Sequence, residues 1–155
     1  MRRKDREVTD FTKMTAILNS CDCCRLGLID GDESYIVPMN FGYETQDGDL
    51  VLYFHCAGEG RKIDLIPKQK TVSFEMDTHR ELVTADNACG FSYLYQCVMG
   101  KGSLEILTDH DAKVRGLQRV MSHYSHTDCW EFHPAMMEKI HVLKLTVSEW
   151  SCKEH

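Results

Sequence analysis

The stretch that decides the fold is YIVPMNFGYETQDGDLVLYFHCAGEGRKIDLIP, residues 35–67. Two apolar runs flank Asp47-Gly48, a dipeptide typical of tight hairpin turns. The sequence therefore predicts a strand over Tyr35–Glu44 and another over Leu50–His55. Pro38 interrupts the first strand, and because proline cannot donate to a ladder, we expect a sheet edge or a bulge there.

After the second strand the chain turns through two glycines, Gly58 and Gly60, into a short predicted helix. Glycines let the backbone approach a ligand closely, and the first N–H groups of a helix attract anions. Arg61 and Lys62 add charge and hydrogen-bond donors at the same place. The pattern is compatible with a phosphate site, but on spacing alone it fits a solvated turn with two surface cations somewhat better.

His55 ends the second predicted strand beside this turn. It is placed to donate to a phosphate or to face a reacting ring, or to bond a backbone carbonyl. The segment Pro38–Phe41 is expected to run antiparallel to the His55 strand, and Asn40 supplies both donors and acceptors. A flat heterocycle with an amide-like edge fits this segment, although the residues alone favour an ordinary edge strand.

Outside this stretch, the spacing of apolar residues predicts further elements joined mainly by hairpins. We expect one helix capped by Thr9 or Asp10 and another capped by Asp109. The remaining predicted strands are Cys24–Ile29, Thr71–Met76, Phe91–Ile106 with a bend at Gly100 and Gly102, and Ile140–Trp150. About six or seven strands predict a mainly β, antiparallel protein closed into a barrel. We expect a single domain over residues 1–155.

Composition narrows the possible functions. The chain has 155 residues and a formal net charge of −6, which argues against non-specific nucleic-acid binding because that needs a basic face. No apolar run reaches the length of a membrane span, and the first residues lack the apolar core of a signal peptide. We therefore expect a cytoplasmic protein with no membrane partner.

Eight cysteines are present, and their placement inside predicted strands or next to each other predicts free, mostly buried thiols. One histidine-rich segment has a spacing compatible with zinc; its candidate ligands are His123, His126, Cys129 and His133. A weaker set is Cys21, Cys23 and Cys24. Neither spacing matches a closed structural motif, so we predict no metal site.

Four segments together resemble a known family. They are RKDREVTD (residues 3–10), CRLGLIDGDESYIVPMNFGYE (24–44), LYFHCAGEGRKIDLI (52–66) and YLYQCVMGKGSLEI (93–106). In this order they are similar to the 5-nitroimidazole-resistance (Nim-like) branch of the pyridoxamine-phosphate-oxidase-related flavoproteins. The resemblance implies a split β-barrel that binds flavin mononucleotide (FMN), an obligate homodimer, and one FMN in each of two clefts at the dimer interface.

The resemblance also implies a role for particular residues. The isoalloxazine ring would be lined, largely through backbone groups, by Pro38, Met39, Asn40 and Phe41. Phe54 and His55 would lie beside the ribityl chain and ring, and the phosphate would be held by Gly60, Arg61 and Lys62. The partner copy would close the cleft with Tyr95, Gln96, Cys97 and Trp150.

Two hypotheses about function follow from this resemblance. In the first, the protein is an FMN-dependent oxidoreductase that takes electrons from NAD(P)H and passes them to a small acceptor such as a nitroimidazole, with His55 as the catalytic residue. In the second, it is a non-catalytic split barrel that binds flavin or haem, and the 123–133 segment supplies a haem or metal ligand.

Overall fold

A computed structural model describes residues 3–125, 127 and 129–155. Within them the chain forms eight strands: β1 Glu7–Val8, β2 Cys24–Asp30, β3 Glu33–Met39, β4 Phe41–Gln46, β5 Asp49–Ala57, β6 Val72–Val83, β7 Ser92–Leu107 and β8 Ile140–Glu154. The four α-helices of these residues are α1 Phe11–Asn19, α2 Arg61–Leu65, α3 His110–Ser125 and α4 Pro134–Met137. The predicted mainly β class is confirmed, and all strand pairs are antiparallel.

The strands make one sheet with the order β3-β2-β6-β7-β8-β5-β4, and β1 pairs with β8. A flat sheet would separate its first and last strands by roughly 29 Å, at about 4.8 Å per neighbour. However, β3 and β4 are consecutive in the chain and only Asn40 lies between them, so Met39 and Phe41 are at most about 7 Å apart. The sheet must therefore curl until its two edges meet at Asn40.

No ladder joins β3 to β4 in the described part of the chain, so this meeting point is a seam. The number of hairpin-linked strands predicted a closed barrel, and this is wrong. The split barrel that the family resemblance implied is confirmed, because a single residue connects the two edges and Pro38 removes one donor from β3.

The inside of the barrel is filled by side chains. Phe41 and Phe54 are paired across β4 and β5, and both are fully buried. Leu18 of α1 and Leu65 of α2 are buried in the same core cluster. A ligand as large as a flavin has no room inside, so it would have to bind on the outer face.

Helix α3 covers part of that outer face. A Cβ atom at Gly42 of β4 would lie 2.1 Å from the backbone carbon of Arg119, so only glycine permits this approach of helix and strand. On the other half of the sheet, large apolar side chains stay exposed, notably Ile36 on β3 and the cross-strand pair Leu82 and Tyr93.

Most predicted elements are present, with corrected bounds. Asp10 caps α1 by accepting from Lys13 N at 2.8 Å, as predicted. The single strand predicted over Tyr35–Glu44 is wrong, because the chain breaks at Asn40 where it passes from one sheet edge to the other. β6 continues seven residues beyond its predicted end at Met76, to Val83, through an irregularity between Thr78 and Glu81 that the sequence did not indicate.

No helix in the described residues is long and apolar enough to span a membrane.

Candidate functional site

The seam exposes polar groups on the outer face of the barrel. Pro38 and Asn40 are exposed at the end of β3, and His55 is exposed between the buried Phe54 and Cys56 of β5. The β4–β5 register pairs Phe41 with Phe54, so Asn40 lies level with His55. Described residues make no hydrogen bond to either polar side chain, which leaves both available to a ligand.

Three other predicted ring-lining residues point inward. Met39, Phe41 and Phe54 are buried in the core and can offer a ligand only backbone groups. One of these groups is already used, because Phe41 N donates to the hydroxyl of Tyr124 at 3.2 Å. This bond also fixes the seam to the end of α3.

The predicted phosphate-binding turn begins α2. Gly60 has φ +126°, which favours glycine, and Arg61 follows it. Arg61 Nε donates to Asp30 Oδ2 at 2.7 Å, and its Nη2 lies 3.6 Å from Glu33 Oε2. The Asp30 hydrogen bond raises the pKa of Arg61 above its usual value. The tip of the β2–β3 hairpin is thus in contact with this turn, which the sequence alone did not reveal.

Lys62 is the less engaged cation of the turn. No carboxylate among the described residues lies within 4.0 Å of its ammonium group, so this group can pair with an external anion. It lies near Cys56 at the end of β5: burial raises the pKa of the Cys56 thiol, and the Lys62 charge opposes that rise.

The residues expected to come from a partner copy lie on two neighbouring strands. On β7, Tyr95 and Cys97 share one face by alternation, while Gln96 donates to Glu154 Oε2 at 3.3 Å. Trp150 on β8 donates to Gly48 O at 3.3 Å and packs against the core. Trp150 is paired with Gly100 of β7, so within one copy of the chain its side chain lies on the opposite face of the sheet from Tyr95 and Cys97.

Comparison with known proteins identifies the family. The family profile described as pyridoxamine 5'-phosphate oxidase matches residues 11–154. The chain belongs to the pyridoxamine 5'-phosphate oxidase family. The resemblance found in the sequence is thereby confirmed at the level of the family.

Solved structures of other proteins have the same fold. A candidate 5-nitroimidazole antibiotic resistance protein from Bacteroides thetaiotaomicron is 28% identical, with a TM-score of 0.81 over 96% of this chain and 86% of that one. A flavocytochrome from Azotobacter vinelandii is 22% identical, with a TM-score of 0.80 over 100% and 72%. An FAD- and haem-binding protein from Mycobacterium smegmatis is 15% identical, with a TM-score of 0.79 over 96% and 73%. No curated protein matches the chain.

The histidine-rich segment 123–133 forms no metal centre among the residues that the structure describes. His123 Nε2 lies 2.8 Å from Cys21 O, and His133 Nδ1 accepts from Ala135 N at 3.3 Å. Cys129 is exposed, and His126 lies outside the described residues. No three His, Cys, Asp or Glu side chains come together as metal ligands among the residues described.

The cysteines of the weaker candidate set are also free thiols. Burial raises the pKa of Cys21 to about 12 and that of Cys24 well above its usual value. Both thiols are therefore protonated at neutral pH. The prediction of free, mostly buried cysteines is confirmed: five of the eight are buried.

A cleft of about 920 Å³ between β4 and α3 was not predicted. Glu44 lies in it and accepts from Arg115 at 2.8 and 2.7 Å, from Arg119 at 2.7 Å and from Tyr53 at 3.0 Å. Partial burial opposes ionisation of Glu44, but these hydrogen bonds outweigh it and lower the pKa of the carboxyl. The only sequence signal was the pair of arginines four residues apart on a helix.

Proposed function

We propose that the protein is a flavin-dependent oxidoreductase that works as a homodimer and binds FMN at the seam. Membership of the pyridoxamine 5'-phosphate oxidase family supports a flavin. The relative from Bacteroides thetaiotaomicron supports a nitro compound as one acceptor. When bound, the flavin would supply hydride acceptance from NAD(P)H and electron transfer to the acceptor.

The observation that carries this proposal is the seam itself. It places the exposed Asn40 and His55 side by side on the outside of a barrel whose inside is packed. Asn40 presents an amide that can match the amide-like edge of a flavin ring. His55 presents ring nitrogens that can donate to a substrate or to the flavin, so we propose it as the catalytic residue.

The residues of the α2 turn fit a phosphate group. Lys62 offers a charge that no described carboxylate neutralises, and the terminal nitrogens of Arg61 keep donors beyond the bond to Asp30. Backbone groups of Met39 would complete the floor, whereas Phe41 N is already bonded to Tyr124 and Phe54 is paired with strands on both sides. We infer FMN as the flavin because the turn supplies two cations for one terminal phosphate.

A second copy of the chain is part of the proposal. The seam lies on the outer face, so a bound ring would be open to water on one side unless another surface covered it. The exposed cross-strand pair Leu82 and Tyr93 offers an apolar surface of the kind that mediates association. Tyr93 shares its strand face with Tyr95 and Cys97, so a dimer through this surface would bring these two residues to the partner's cleft.

The absorption spectrum of freshly purified protein tests the cofactor and the reaction. We expect a flavin spectrum that NAD(P)H bleaches and air restores. A double substitution, Arg61→Ala with Lys62→Ala, should strip FMN while the dimer persists by size-exclusion chromatography. A His55→Ala variant should keep its flavin and lose acceptor reduction. Unchanged flavin content in the double variant would refute the phosphate assignment.

The second candidate is a binding protein without turnover. It is favoured by two structures of the same fold, one a flavocytochrome and the other an FAD- and haem-binding protein. In that case the purified protein would show a Soret band, or a flavin spectrum that NAD(P)H does not bleach.

A further inference from the structure

Two residues of the β2–β3 hairpin, Asp30 and Tyr35, hold the guanidinium of Arg61. Its Nε donates to Asp30 at 2.7 Å, and its Cζ lies 4.8 Å from the centre of the Tyr35 ring. Glu33 lies 3.6 Å from Nη2, too far for a good hydrogen bond. The side chain is therefore fixed in direction although 51% of it is exposed.

The hairpin turn explains how Asp30 reaches Arg61. Gly31 has φ +63°, which permits a tight turn, and Asp30 and Glu33 are directly paired across it. The last residue of β2 therefore presents its carboxylate to the first residue of α2, which lies thirty-one positions further along the chain. No sequence motif links the two.

An aspartate in this place could oppose a phosphate by occupying Arg61, or it could aim Arg61 at the phosphate. The bonding pattern favours the second role. Asp30 uses the single N–H of Nε, so the N–H groups of the two terminal nitrogens stay available as a fork. The Tyr35 ring covers one face of the guanidinium and restricts its rotation further.

We propose that Asp30 is a positioning residue for the flavin phosphate, which it serves by aiming the terminal nitrogens of Arg61. The inference rests on the proposed function, because it requires a phosphate at Arg61 and Lys62. It adds the β2–β3 hairpin to the binding site. Asp30 itself touches no ligand and acts only through Arg61.

Binding of two flavins tests this role. Dissociation constants for FMN and for riboflavin, which lacks the phosphate, are measured by fluorescence on flavin-free protein. Asp30→Asn should weaken FMN binding by about tenfold, since neighbours in one network couple by this order, and leave riboflavin binding within about twofold. Asp32→Asn is the matched control, because it removes the same charge from the same turn and no described cation pairs with Asp32.

The decisive comparison is between Asp30→Asn made in an Arg61→Ala protein and Asp30→Asn made in a Lys62→Ala protein. In an Arg61→Ala protein, Asp30→Asn should have no further effect, whereas in a Lys62→Ala protein it should keep its full effect on FMN. Tighter FMN binding by Asp30→Asn would show competition and overturn the proposal. An equal loss for riboflavin, or a loss that persists without Arg61, would overturn it as well.

Two further measurements separate this inference from the proposed function. If the Arg61 and Lys62 substitutions leave the preference for FMN over riboflavin unchanged, the phosphate assignment and this inference fail together. If they abolish that preference and Asp30→Asn does not reduce it, only this inference fails. Asp30→Glu, which keeps the charge but lengthens the side chain, should give an intermediate loss and serves if the Asn variant does not fold.

Discussion

Replacing Glu44 by glutamine should loosen α3 from the barrel in a pH-dependent way. The carboxylate is only 20% exposed and accepts charge-assisted hydrogen bonds from two arginines. Glutamine keeps the shape, but it removes the charge and one of the two acceptor oxygens. The side chains of the two arginines are 64% and 41% exposed, so hydrogen bonds to water can partly replace those to the carboxylate.

The expected loss is moderate for this reason. Charge-assisted bonds contribute about 1.5–3 kcal/mol each, and much of that is recovered when exposed donors return to water. We expect a loss of about 2 kcal/mol in the free energy of unfolding at pH 7, or about 5 °C in Tm for a chain of this size. Glu105→Gln, which breaks an exposed pair with Lys144 at 3.4 Å, is the control and should cost less than about 0.5 kcal/mol.

The pH dependence gives a sharper test. The folded pKa of Glu44 lies below its usual value, so its stabilisation is fully present above pH 4.5 and is lost as the pH falls through the folded pKa. Urea unfolding of the native protein and of Glu44→Gln should therefore give a difference in unfolding free energy that is constant near neutral pH and shrinks in acid. A difference that stays the same down to pH 3, or no difference at pH 7, would refute the reasoning.

Three other outcomes are expected. Gly42→Ala should destabilise the protein by about 3 kcal/mol, because the added Cβ meets the backbone of α3 at 2.1 Å, whereas Gly27→Ala, whose Cβ would lie 3.7 Å from its nearest neighbour, should change stability by under about 1 kcal/mol in urea unfolding. Tyr124→Phe should speed hydrogen exchange of the Phe41 amide and cost about 1 kcal/mol; an unchanged exchange rate would contradict the bond at the seam. In native protein at pH 8, a thiol reagent should react quickly with the two exposed cysteines, 89 and 129, while Cys21, with its pKa at about 12, should react only after unfolding.

Local signals were enough to predict most of the fold. Capping residues placed α1, and the Asp47-Gly48 turn placed the β4–β5 hairpin, because these features depend on neighbours in the chain. The break at Asn40 was missed, since a strand that leaves one sheet edge and enters the other has the same apolar pattern as one continuous strand. The two cases can be told apart only from the order of the seven strands from β3 to β4 across the sheet.

The residues of the candidate site differ in how clearly the sequence marks them. His55, Arg61 and Lys62 stood out because they follow a strand within a few positions. Asp30 and Glu44 did not, because each is paired with an arginine more than thirty residues away in the chain. Long-range ion pairs leave no periodic trace in one sequence. The family resemblance supplied the ligand class and did not supply these contacts.

The seam has a further consequence, for aggregation. A sheet that never closes by hydrogen bonds leaves β3 with an unpaired edge among the described strands, and that edge carries the exposed Ile36. Such an edge is a template for another chain. Pro38 removes one N–H donor from the unpaired backbone groups of this edge and so makes pairing with another chain less favourable. A Pro38→Val protein would be expected to gather into intermolecular β-sheet even while each barrel stays folded.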